Sequence, residues 1–135
     1  GSLQVVADDF VKPNGLAFST DETRLYIADS GYSHDKNAPH HVRQFQVEGD
    51  TLGASSVFAD IEPGVPDGLR VDVQDNVWIS AADGVHCYSS DGNLLGKILV
   101  PEVVANLCFG GPRGNQMFMT ATTSVYSMLL GVRGY

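Results

Sequence analysis

Two side chains of this sequence are spaced to bind a hard cation. Asn14 lies in Pro13-Asn14-Gly15-Leu16, and Asp67 lies in Pro66-Asp67-Gly68-Leu69. Each holds the same place in the same pattern, ahead of an apolar segment. A carboxamide and a carboxylate brought together offer oxygen ligands, which suit a divalent cation such as Ca2+. Asn-Gly and Asp-Gly are also strong turn dipeptides, so either alone reads first as a turn. Two in register put the ligand reading level with the turn reading. A third copy, Val104-Ala105-Asn106-Leu107-Cys108-Phe109, puts Ala105 at the donor position and Asn106 at the glycine position. A one-residue offset in a strand turns a side chain to the opposite face. Asn106 is therefore read as a neighbour of the pocket and not as a ligand.

Other reactive side chains carry less. The segment Ser30–His41 holds His34, His40 and His41. An adjacent His pair in extended backbone points two ways, and a structural zinc wants four closed ligands. The segment reads instead as a rim loop that faces substrate. Asp29 reads as a capping or turn residue ahead of a supporting role beside the cation. No Gly-x-Ser-x-Gly elbow and no Cys/His pair points to nucleophilic catalysis.

These residues must be positioned by a repeated unit. Each copy of the pattern passes a short polar turn and reaches an apolar triplet with an aromatic centre: Leu25-Tyr26-Ile27, Val77-Trp78-Ile79 and Met117-Phe118-Met119. Repeats of about 40 to 50 residues mark solenoids, propellers or arrays. Every segment reads as strand, so the expected fold is all-β, a β-propeller with about three four-stranded blades. Residues 1–135 then form a single partial propeller domain. The triplets are apolar on both faces, as blades stacked face to face require and a one-sided sheet does not. A two-sheet sandwich is the competing architecture, and it explains the likeness of the units less well.

The expected strands are 15–19, 24–29, 42–47 and 55–59 in the first unit. They are 68–72, 76–80, 84–88 and 94–99 in the second, and 105–109, 116–120 and 124–129 in the third. The lead segment Gly1–Val6 resembles the outer strand of a further unit, compare Gly92-Asn93-Leu94-Leu95. Three blades do not close a ring, since propellers use about 4 to 8. Either the chain is the C-terminal half of a six-bladed protein, or a second copy or complementing chain supplies the rest, with a two-fold axis down the channel when it is a second copy.

Bulk properties narrow the partners. With 135 residues, 43% hydrophobic, the chain can bury a core. Its net charge of −8 argues against nucleic acid and against anionic membrane surfaces, which attract clustered Lys and Arg. No apolar run approaches the ~18 residues of a membrane span. The compartment stays open between cytoplasm and periplasm. Cys87 and Cys108 are both expected as buried thiols and not as a bridge.

The assembled motifs resemble the SMP-30/gluconolactonase family. The resemblance is carried by Pro13-Asn14-Gly15-Leu16-Ala17-Phe18-Ser19 leading to Leu25-Tyr26-Ile27-Ala28-Asp29-Ser30. Pro66-Asp67-Gly68-Leu69 leading to Asn76-Val77-Trp78-Ile79 adds to it, as does the closing Asn106-Leu107-Cys108-Phe109-Gly110-Gly111. The insertion with His40-His41-Val42-Arg43 looks like the bacterial gluconolactonase branch. The resemblance implies half of a six-bladed propeller, a calcium ion in the central channel and hydrolysis of a sugar lactone or related ester. It implies metal ligation by Asn14 and Asp67, with Asp67 also the catalytic general base. The family's remaining metal ligand is a Glu with no counterpart here. Two readings follow: a metal-dependent lactonase whose site is completed from elsewhere, and a non-catalytic propeller module that lacks that Glu.

Overall fold

The computed structural model describes residues 1–135 as three antiparallel sheets, each a simple meander. The first sheet holds β1 (Pro13–Phe18), β2 (Arg24–Asp29), β3 (His41–Glu48) and β4 (Thr51–Asp60). The second holds β5 (Leu69–Val71), β6 (Val77–Ala81), β7 (Gly84–Tyr88) and β8 (Leu94–Leu99). The third holds β9 (Val104–Gly110), β10 (Gln116–Ala121) and β11 (Val125–Leu129). One turn of 3-10 helix, Gly31–Ser33, interrupts the β2–β3 connection.

The sheets stack face to face in chain order. Between the first and second lies a core of Tyr26, Ala28, Val42, Leu69, Val77 and Ile79 with their neighbours. Between the second and third lies another of Val85, Val104, Leu107, Met117 and Met119, against which Trp78 and Phe109 pack. The middle sheet is therefore covered on both faces. This accounts for its apolar triplet, with Ile79 turned to one core and Trp78 to the other. Full burial of such a side chain contributes about 1.5–3 kcal/mol. The outer sheets are covered on one face only. Leu16 and Phe18 of β1 and Val125 and Leu129 of β11 remain exposed.

The polar turns are built rather than loose. In the second unit buried Asp72 accepts hydrogen bonds from the backbone N–H of Gln74 (2.8 Å), from the Asn76 side chain and from the Trp78 indole N–H (2.8 Å). In the first unit Ser19 and Asp21 do the equivalent work for Thr23 and Arg24. The two turns are joined, because Arg24 pairs with Asp75 at 2.5 Å and the Thr20 N–H donates to the same carboxylate at 2.8 Å. Asp72→Ala is expected to cost about 2 kcal/mol, the penalty for stranding buried donors. Trp78 is the only tryptophan, so a red-shifted emission and a lower urea midpoint would both register the loss.

Several expectations change. Residues 1–6 form no strand. That segment has no neighbouring backbone to pair with, and it is held by side chains: Gln4 donates to the Asp50 carbonyl at 3.0 Å. Further along, Phe10 stacks on Phe45 and Asp9 pairs with Arg43 at 2.8 Å. The strand count is thus four, four and three, without a leading strand. β4 extends earlier than expected, through Thr51–Ala54, because β3 supplies a ladder partner. Cys87 is buried as expected, and burial with the nearby Asp72 charge pushes its thiol up to about 12. Cys108 is exposed. It alternates with buried Leu107 on β9, and no further sheet covers that face.

Candidate functional site

The innermost strands β1, β5 and β9 lie side by side, and one hydrogen bond repeats between them. The Gly15 N–H donates to the Asp67 carbonyl at 2.9 Å, and the Gly68 N–H donates to the Ala105 carbonyl at 2.9 Å. Positions 14, 67 and 105 are thereby aligned across the three sheets, at the same ends of their strands. The glycines are needed for space. A Cβ on Gly15 would stand 2.2 Å from the Asp67 carbonyl oxygen, and one on Gly68 would meet the Asn106 side chain at 2.3 Å.

Two residues of the first unit hold Asn14 in place. Ser30 Oγ donates to the Pro66 carbonyl at 2.6 Å and accepts from Asn14 Nδ2 at 3.2 Å. Asn14 is thus tied to the segment that carries Asp67. Asp29, which is buried, accepts from the N–H groups of Val11 (2.9 Å), Lys12 (2.9 Å) and Gly31 (3.1 Å). It fixes the approach to Asn14, so its role is the turn role expected of it. Ser30 carried no sequence signal, since its partner on the second unit is 36 positions away.

Asp67 is half-buried. Burial raises its carboxyl above the usual range, while the Asn14 amide and the Lys12 ammonium oppose the shift. A partly desolvated carboxylate favours any cation or proton within reach. Asp67 opens on a cavity of about 180 Å3 lined also by Tyr32, Ser33, Lys36, Val65 and Val103. Tyr32, Ser33 and Lys36 belong to the β2–β3 insertion, which therefore lies on the rim as expected. Val103 comes from the β8–β9 connection. That connection is clamped by Glu102, which accepts from Ser124 Oγ (2.6 Å), the Thr123 N–H (2.7 Å) and the Tyr126 hydroxyl (2.7 Å). Those bonds, Ser124 foremost, hold its carboxyl down to about 2.

The three histidines diverge. His34 contacts the Lys12 ammonium. His40 stacks on Tyr32 and meets the Ile61 carbonyl at 3.0 Å, and His41 faces Asp60. No group of three His, Cys, Asp or Glu side chains converges anywhere in the chain. Asn106 lies away from the Asp67 cavity, in a separate hollow with Arg70, Cys108 and Phe118. For a calcium ion, Asn14 and Asp67 fit in kind, as adjacent hard oxygen donors. They fall short of the 6 to 8 oxygens such an ion prefers.

Known proteins share this fold and part of this sequence. The gluconolactonase of Zymomonas mobilis is 32% identical over 139 residues, covering 93% of this chain and 36% of that protein. A solved protein provisionally called a gluconolactonase superimposes with a TM-score of 0.88 at 38% identity, over 98% of this chain and 43% of the other. A gluconolactonase of Xanthomonas campestris superimposes with a TM-score of 0.82 at 30% identity, over 99% and 41%. The chain thus spans about two-fifths of the length of these relatives. The family model for the SMP-30/gluconolactonase/LRE-like region matches residues 1–123, which contain the repeated hub motif, the insertion and all three inner strands. By that match and by its fold, this chain belongs to the SMP-30/gluconolactonase/LRE-like family.

Proposed function

We propose that this chain is half of a six-bladed ring that hydrolyses a sugar lactone with the help of a divalent cation, Ca2+ by donor type. Further blades complete the ring, from the remainder of a longer protein, from a second copy of the chain or from a complementing polypeptide. The observation that supports the reading is the adjacency of Asn14 and Asp67 across the first two sheets, with Asp67 lining a cavity of about 180 Å3. Asn14 and Asp67 would hold the cation, and further donors would come from the completing blades. When bound, the cation supplies Lewis-acid polarisation of the lactone carbonyl.

The chain's own residues supply the rest. Asp67 orients the attacking water and takes its proton, a role suited to a carboxylate whose proton affinity burial has raised. Asn14 keeps the hub filled with an oxygen donor without adding charge, and Ser30 keeps Asn14 oriented. Val65 and Val103 present apolar surface and limit competing water. Lactones are activated esters, so modest catalytic assistance suffices.

Light scattering after size exclusion, followed by calcium titration of the same sample, tests the reading. The expected result is an assembly larger than one chain whose melting temperature rises with calcium. The gain is about 2.7 kcal/mol when calcium reaches a hundred times its dissociation constant. A monomer whose melting is indifferent to millimolar calcium would end the enzyme reading for this chain. It would favour the non-catalytic module, which the short donor set supports.

A further inference from the structure

The net charge of −8 makes any concentration of cations on this chain informative, and two of its three lysines stand beside Asp67. Lys36 lines the Asp67 cavity, with its ammonium 4.0 Å from the centre of the Tyr32 ring. Lys12 approaches the same insertion through Ser33, which lines the cavity. Its ammonium donates to Ser33 Oγ at 3.5 Å, contacts His34 and acts on the Asp67 carboxyl. Neither lysine is in a salt bridge; the lysine and arginine pairs of the chain use Arg24, Arg43 and Lys97. An aromatic face holds an ammonium by its charge and leaves the three N–H donors largely unspent. The Asp67 cavity therefore has one cation in its wall, Lys36, and a second, Lys12, against its lining residue Ser33, neither within salt-bridge distance of a carboxylate, in a molecule whose overall field repels anions.

We infer that the β2–β3 insertion is an anion-recognition element, and that the substrate is a lactone bearing a negatively charged group on the carbon end remote from the ring carbonyl. Lys36 contacts that group and Lys12 adds attraction from the rim. The inference rests on the lactonase reading for the site and deepens it by naming the substrate class. The charged group is a carboxylate, as in an aldaric lactone, or a phosphate, as in a sugar-lactone phosphate. Both are acceptors that an ammonium recognises by charge, in a space that admits one sugar unit. Two unpaired ammonium groups would be a poor lining for a neutral sugar, which needs neutral donors and acceptors for its hydroxyls.

The test uses the full chain with calcium at fixed ionic strength. Calorimetric titration compares gluconate with glucarate and phosphogluconate, and initial rates compare the corresponding lactones. At least one of glucarate and phosphogluconate is expected to bind about tenfold tighter than gluconate, the worth of one charge-assisted hydrogen bond. Whichever is tighter identifies carboxylate or phosphate as the recognised group. Lys36→Gln is expected to bring the ratio near one, with the change in Kd and KM and not in kcat, and Lys36→Arg to restore part of it. A ratio near one in the unmodified chain, a ratio that survives Lys36→Gln, or no binding of either glucarate or phosphogluconate would overturn the inference. Charge-selective binding without hydrolysis of any lactone would uphold the insertion as an anion-recognition element and overturn the lactonase reading on which the substrate class rests.

Discussion

Asp67→Asn is expected to make the chain more stable in the absence of divalent cations and to end its hydrolysis of lactones. The two effects have one cause. The Asp67 carboxyl is raised above the ordinary carboxylate range in the folded chain because burial disfavours its charge. The folded state therefore binds that proton more tightly than the unfolded state does. Stability is gained as pH falls through this range, and at neutral pH the ionised group is a cost. An amide of the same shape removes the cost. The melting temperature of Asp67→Asn should exceed that of the unmodified chain at pH 7 in chelator, with the difference fading as pH is lowered toward the ordinary carboxylate range. Millimolar calcium should reverse the order, because only the carboxylate gains from the cation. Lactone hydrolysis, followed by proton release, should fall about a hundred- to ten-thousand-fold, as for loss of a general base. A variant that is less stable in chelator, or one that retains hydrolysis, would show that Asp67 is structural.

Gly15→Ala should be the most damaging single-methyl addition at the hub. Gly15 has no positive φ, so the backbone tolerates alanine; the obstacle is space. The added carbon would sit 2.2 Å from the Asp67 carbonyl oxygen and 2.9 Å from Gly68 Cα. Both are backbone atoms of the next sheet and cannot rotate away. The first and second sheets must part, which breaks the Gly15 N–H to Asp67 hydrogen bond and loosens the core around Tyr26 and Leu69. Overpacking with loss of that bond amounts to about 3 kcal/mol. For a chain of this size that lowers the melting temperature by roughly 10 °C. Calcium stabilisation should disappear with it, because Asn14 and Asp67 no longer meet. As a control, Gly49→Ala has open space around the new carbon. There only the strain of positive φ applies, roughly 1 kcal/mol.

Much of the fold was legible because each unit repeats its own logic. The strands Gly84–Tyr88 and Leu94–Leu99 fall where the turn residues Asp83-Gly84 and Asp91-Gly92-Asn93 delimit them. The doubly apolar triplet Val77-Trp78-Ile79 correctly signalled a sheet covered on both faces. Pairing of Asn14 with Asp67 was also readable, since register alone equates the two positions. What escaped depends on contacts between units. Residues 1–6 have the composition of an edge strand, but a strand exists only where another backbone completes its ladder. Cys108 is small and apolar, yet its exposure is set by the absence of a sheet beyond β9. Ser30 acts on Pro66, and Lys36 shares a cavity with Asp67 through a folded insertion. Neither partnership leaves a spacing in one dimension.

The hub shows what a duplicated scaffold must give up to become a site. Positions 14, 67 and 105 are equivalent by backbone pairing, yet they present a neutral amide, an anion and a methyl. Three carboxylates converging there would repel one another, and at least one would be forced to keep its proton. With one charge only, the hub acquires polarity, which the proposed hydrolysis would use to give water and an incoming carbonyl distinct places. Likeness among the units sets the distances, and difference at a single position per unit supplies the direction.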